Sequence, residues 1–155
     1  MKRILLVIVL VMFSASAGAE GFAFKDSKGK LLKLADYKGK WVLVNFWATW
    51  CPPCLEEIPD LIELHEAHRN KDLVVIGIAM DYQDTKHVLQ FADNMFVSYP
   101  IVLGTPAIAA QIGRISGLPT TFIYNPQGKM VGENVGALKR ADVENFIAGK
   151  QPKSR

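Results

Sequence analysis

The stretch Trp41-Val42-Leu43-Val44-Asn45-Phe46-Trp47-Ala48-Thr49-Trp50-Cys51-Pro52-Pro53-Cys54-Leu55-Glu56-Glu57-Ile58-Pro59 joins two periodicities. Its first seven residues are a dense apolar run with one polar member, Asn45, which fits a strand buried on both faces. From Cys54 onward Leu55, Ile58, Leu61, Ile62 and Leu64 recur at helical spacing against Glu56, Asp60, Glu63 and Glu66. A helix therefore starts at the cysteines. Pro59 lies inside it and removes one backbone donor, at a cost of about 3 kcal/mol unless the helix adapts, which predicts a bend one turn beyond Cys54.

Outward from this stretch, the alternation of strand and helix continues. Leu73 to Met80 reads as a second buried strand, and Asp84-Thr85 caps an amphipathic helix running to Met95. Pro100 to Leu103 is a short strand, and Thr105-Pro106 opens a helix over Ala107 to Ile112. Thr120 to Tyr124 and Lys129 to Val135 flank the turn Asn125-Pro126-Gln127-Gly128, and Arg140 to Ile147 closes the domain as a helix. On the other side, Phe22-Ala23-Phe24 and Leu31 to Leu34 flank Asp26 to Lys30, the pattern of a hairpin. The alternating order gives an α/β class with a parallel sheet core.

The chain has 155 residues, half of them hydrophobic, enough for one domain with a proper core. Lys2 and Arg3 precede the apolar run Ile4 to Phe13 and the small residues Ser14 to Ala19, which reads as a signal peptide over residues 1–19 with cleavage after Ala19. The alternative is an uncleaved membrane anchor, although the run is short for a span of about 18 or more residues. Residues 20–150 then form the domain and 151–155 a tail. Without the signal, acids and bases nearly balance, and no basic stripe marks a nucleic-acid surface.

The chain has two cysteines, three positions apart. A bridge across two residues constrains little of the unfolded chain, so the pair reads as chemistry rather than a staple. At a strand-to-helix junction Cys51 sits at the positive end of the helix dipole, where a thiolate is stabilised. Cys51 is thus the attacking thiolate, and Cys54, one turn further in, resolves the mixed disulfide. Pro52 and Pro53 carry no charge and no N–H, which argues for a reducing poise. Glu57 follows Cys54 by three positions on the same face; from spacing alone it either shuttles the Cys54 proton or is a solvated helix carboxylate. Asn45 reads as a satisfied core amide and His65 as a partly buried helix residue. Trp47 and Trp50 either line a substrate face or pack the strand end.

The ordered set Asn45 to Cys54, Glu57, Pro59 and Gly117-Leu118-Pro119-Thr120-Thr121-Phe122 resembles thioredoxin-like proteins of the TlpA/ResA type over residues 20 to 148. The resemblance implies a thioredoxin-like fold: a central mixed sheet flanked by helices, with an N-terminal β-hairpin and an extra strand-helix insert between Met80 and Leu103. It also implies a cis bond before Pro119, facing the cysteines, with the Leu118 backbone pairing with the substrate chain. Trp50, Pro52, Leu118, Pro119 and Thr120 thus make up the implied substrate face. Relatives place a glutamate where Glu57 stands, which favours it as the proton-transfer residue. They reduce cytochrome c haem-site cysteines or assist copper-site assembly, and draw electrons from a membrane thiol:disulfide carrier.

These readings combine into an expectation: a monomeric, periplasmic protein-disulfide reductase working through Cys51, Cys54 and Glu57, with no cofactor and no resident metal. One rival is an oxidase or isomerase that donates its disulfide. The other is a binding module holding a soft ion such as copper between the two thiolates, a weak site with no third ligand. A peroxidase does not fit, because the family pattern of such enzymes has a threonine three positions before the cysteine, where this chain has Ala48.

Overall fold

The computed structural model describes residues 21–149. The 1–19 segment and the 151–155 tail lie outside the described residues. In chain order the elements are β1 (Ala23–Lys25), β2 (Leu31–Lys33), a 3-10 turn (Leu34–Tyr37), β3 (Trp41–Trp47), α1 (Pro52–His68), β4 (Leu73–Ala79), α2 (Thr85–Asn94), β5 (Ile101–Leu103), α3 (Pro106–Ala109), β6 (Thr120–Tyr124), β7 (Met130–Val135) and α4 (Arg140–Ile147). The expected strands and helices are all present, in the expected order.

Five strands form one sheet in the order β5-β4-β3-β6-β7, and β1 and β2 form a separate antiparallel hairpin. The core is parallel where helices cross over, since β3 pairs with β4 and β4 with β5 in parallel. It turns antiparallel at β6 and β7, which are joined by a tight turn too short for a crossover. The sheet is therefore mixed. The turn of the first hairpin docks on the short edge strand, with the Ser27 N–H donating to the Ile101 carbonyl at 2.7 Å.

Side chains alternate along β3 and divide the core in two. Leu43 and Trp47 pack with Ile58, Leu61 and Leu64 of α1, Val88 of α2 and Val143 of α4. Val42, Val44 and Phe46 pack on the opposite face with Phe22, Phe24, Phe122 and Ile112. Asn45 shares the parity of Leu43 and Trp47 and so faces α1. Next to it, Gly77 is a site of close approach, because an added Cβ would stand 2.8 Å from a Tyr99 ring carbon and 3.2 Å from Trp47 Nε1.

Several boundaries lie one residue from the sequence expectation, and α3 is shorter than expected. Helix α1 begins at Pro52, between the cysteines where the sequence places its start, because proline at the first positions has the helical φ built in and loses only donors that would be orphans. It continues through Pro59 as one helix. Helix α3 ends at Ala109, and the chain then turns through Ile112 and Gly113, whose N–H groups both reach the Ala109 carbonyl. The turn brings Gly113 against the Phe122 ring, where an added Cβ would stand 2.8 Å from two ring carbons.

Candidate active site

Strand β3 delivers the cysteines to the carboxyl end of the sheet, and α1 takes over at once. Cys51 is the N-cap residue of α1, with extended backbone (φ −98°, ψ 103°), and is joined to Cys54 by a disulfide with a Cα separation of 5.3 Å. Cys51 is 3% exposed and Cys54 is 0% exposed, so the sulfur nearer the solvent belongs to the residue at the helix tip. With Pro52 and Pro53 at the first two helical positions, neither of those positions has an N–H. The Leu55 N–H is taken by the Cys51 carbonyl at 3.1 Å. The Cys54 N–H is thus the first-turn donor left for charge on Cys51 Sγ.

Of the two tryptophans that were open to either reading, Trp47 is core and Trp50 is rim. Trp50 is 60% exposed, and its indole N–H donates to the Asp81 carbonyl at 3.1 Å. Beside it lies an open cleft of about 400 Å³ lined by Thr49, Trp50, Asp81, Tyr82, Asp84 and His87. Pro52 is exposed at the helix tip.

Glu57 is 0% exposed, so the solvated-carboxylate reading that spacing permitted does not hold. Spacing puts Glu57 one turn beyond Cys54, but only packing shows that this face of α1 lies against the sheet. Its Oε1 accepts from Asn45 Nδ2 at 2.6 Å and its Oε2 from the Leu138 N–H at 2.9 Å. Burial pushes the Glu57 carboxyl up to about 7; the Leu138 and Asn45 hydrogen bonds pull against this, and the Asp60 charge adds to it. Asn45 also donates to Thr121 Oγ1 at 3.0 Å, while its Oδ1 is buried and finds no partner among the described residues. The core amide is thus satisfied through its nitrogen.

Leu118-Pro119 is a cis peptide bond, as the resemblance implies. In the β3/β6 register Thr120 lies opposite Phe46, so Pro119 continues the ladder beside Trp47, at the end of the sheet from which the chain runs into Cys51. The Pro119 carbonyl accepts from the Gly136 N–H at 2.8 Å. Leu118 is partly exposed, whereas Thr120 is fully buried with its hydroxyl donating to the Gly117 carbonyl at 2.7 Å. The Thr120 side chain braces the loop from within, Pro119 is buried, and Leu118 is half-buried, packing against both core clusters.

His65 is buried rather than partly buried, and its Nδ1 accepts from the Val75 N–H at 3.1 Å. Burial pushes it down to about 4, and it is neutral at physiological pH. Among the described residues no cluster of three or more His, Cys, Asp or Glu is placed to share a metal ion. The sequence reading missed Leu138, which serves the site through its backbone N–H, a group every non-proline residue carries and no motif marks.

A model of the AhpC/TSA family matches residues 16–132. The thiol-disulfide oxidoreductase ResA of Bacillus subtilis is 31% identical over 134 residues, covering 86% of this chain and 74% of that protein. The crystal structure of a thiol:disulfide interchange protein from Chlorobium tepidum superposes with a TM-score of 0.76 at 32% identity, covering 84% of this chain and 93% of that one. An exposed lipoprotein thioredoxin from Streptococcus pneumoniae superposes with a TM-score of 0.71 at 25% identity, over 83% of this chain and 98% of that one.

Proposed function

The chain belongs to the AhpC/TSA family and is a thiol-disulfide oxidoreductase of thioredoxin fold, and from that premise we propose that it reduces disulfides of partner proteins outside the cytoplasm. The observation that carries this reading is the pair Cys51–Cys54 at the start of α1 with the buried carboxyl of Glu57 one turn behind it.

In the reduced protein the Cys51 thiolate faces the Cys54 N–H and the positive end of α1. It attacks one sulfur of the partner's disulfide, forming a Cys51–partner disulfide and releasing the other partner sulfur as thiolate. Glu57, as carboxylate, takes the proton of the Cys54 thiol. The Cys54 thiolate then attacks Cys51 Sγ, closing the Cys51–Cys54 disulfide and releasing the second partner thiolate. Two electrons pass to the partner, and the proton held by Glu57 returns to solvent or to a product thiolate. A carboxyl raised toward neutrality exchanges that proton at working pH.

The exposed Trp50 and Pro52 next to the attacking cysteine in the chain, with Leu118-Pro119 at the same end of the sheet, form the docking face for the partner chain. The uncharged Pro52-Pro53 favours the reducing direction, since no side chain between the cysteines stabilises the thiolate further. The basic-apolar-small pattern of residues 1–19 and the exposed lipoprotein among the similar structures support export to the periplasm or its equivalent. A membrane thiol:disulfide carrier as electron source, cytochrome c or copper-site proteins as substrates and action as a monomer complete the reading.

With dithiothreitol as the electron source the protein should reduce insulin catalytically, and its oxidised form should be a poor donor of disulfides to reduced, unfolded ribonuclease; the opposite preference would establish an oxidase. In cells, Cys54→Ala should accumulate a mixed disulfide at Cys51 that mass spectrometry identifies. If Cys51→Ala traps the same species, Cys51 is not the nucleophile.

A further inference from the structure

We propose that Asn45 is the positioning residue of the Glu57 carboxyl, an amide that hydrogen-bonds it in either protonation state so that Glu57 gains and loses a proton in place. The proposal rests on the reading of Glu57 as the proton acceptor for Cys54.

Asn45 is the one polar side chain of a seven-residue strand and is 1% exposed. A buried amide without partners costs a few kcal/mol, so its presence calls for a partner that needs it. The partner is Glu57. As the structure stands, Nδ2 of Asn45 and the Leu138 N–H each donate to one carboxylate oxygen. That arrangement suits the ionised form, which only accepts, and fails the protonated form, which must also donate. The Leu138 N–H cannot accept. Asn45 can, because a half-turn about its terminal torsion exchanges Nδ2 for Oδ1, the atom that is otherwise buried without a partner. Thr121 lies directly opposite Asn45 in the β3/β6 register and serves both orientations. Its hydroxyl accepts from Nδ2 in one and donates to Oδ1 in the other.

The surroundings leave this exchange to the amide. On its own helix Glu57 has the disulfide-bonded Cys54 one turn before it and Asp60 after it. Asp60 is engaged by the Arg140 N–H at 2.9 Å and by Lys139 Nζ at 3.5 Å, both at the entrance to α4. The segment entering β5 contributes the Tyr99 phenol, held protonated by burial and by the Glu57 charge. From β3 and β6 the facing groups are the uncharged Asn45 and Thr121.

The test follows the Glu57 carboxyl by infrared difference spectroscopy of the oxidised protein from pH 4 to 10, with the band assigned by its loss in Glu57→Gln. Asn45→Leu removes the amide from both forms, but its charge-assisted bond to the carboxylate is the stronger of the two, so the midpoint should move upward by about one pH unit, a tenfold gain in proton affinity. Asn45→Asp, of nearly the same shape, can only accept, and should give a carboxyl pair that releases its protons in two separated steps. A wild-type midpoint in Asn45→Leu, or a single unsplit step in Asn45→Asp, overturns the proposal. Should Asn45→Leu not fold, Asn45→Asp decides alone. The rate of Cys54 attack against pH, measured in Glu57→Gln, separates the two readings. If that profile matches wild type while the Asn45 variants shift the carboxyl, the amide's role stands and the role of Glu57 in thiol chemistry falls.

Discussion

Glycine at position 77 shows how much one missing methyl decides. Its backbone is ordinary strand, so alanine would be welcome locally and would stabilise by about 0.4–1 kcal/mol through the unfolded chain alone. The Cβ would, however, stand 2.8 Å from the Tyr99 ring, itself wedged beside Trp47 over the sheet. Overpacking of this kind costs about 1–3 kcal/mol, and the clash outweighs the entropy gain. Gly77→Ala should therefore lower the guanidinium midpoint, and an unchanged or raised midpoint would show that Tyr99 moves aside freely. Nothing in Val75-Ile76-Gly77-Ile78 announces this, because the ring that forbids a side chain comes from a residue far along the chain. The same limit applies to Glu57, where the residue type and its spacing from Cys54 are visible but its burial is set by the strand beneath.

Among the helices, two N-terminal caps are built in opposite ways. Helix α2 carries its own, the Asp84 carboxylate accepting from the Lys86 N–H at 3.0 Å, and this was legible as Asp-Thr before an apolar-periodic run. Helix α4 has Lys139 at its N-cap, which supplies no side-chain bond, and Asp60 of α1 accepts from the Arg140 N–H instead. With Glu57 holding Leu138, one face of α1 fixes the whole entrance to α4. Asp84→Ala and Asp60→Ala should each cost about 1 kcal/mol in denaturant unfolding. The two should differ in reach: Asp60→Ala should raise amide exchange in α4, and Asp84→Ala in α2. The α4 cap was illegible because it is borrowed across about 80 positions of sequence.

Over the whole molecule, the two buried ionisable groups of α1 set opposing pH dependences. Glu57, raised to about 7, holds a proton that the unfolded chain gives up above its ordinary value near 4.5, so its contribution to stability falls as pH rises from 4.5 to 7. His65, lowered to about 4, stays neutral where the unfolded chain binds a proton, so its contribution grows as pH rises from 4 to 6.5. Each is on the order of 3 kcal/mol, and in the shared window they offset. Wild-type stability should thus change little between pH 4.5 and 6.5. Glu57→Gln removes one arm and should leave stability climbing with pH through that window, as measured by guanidinium unfolding at a series of pH values. A flat profile in the variant would show that His65 does not titrate as its burial requires.

Sequence alone determined the order of elements, the strand-to-helix junction at the cysteines and the identity of the nucleophile's motif, because hydrophobic period, proline placement and cap residues act over a few neighbouring positions. It also carried the cis bond before Pro119, though only through resemblance, since local chemistry leaves an X–Pro bond mostly trans. Tertiary structure alone decided that Glu57 is buried between Asn45 and the Leu138 N–H, that the Thr120 side chain points inward, and that Gly77 has no room for a side chain. These depend on which atoms meet across long stretches of chain, and on how much water their meeting excludes, neither of which any local pattern encodes.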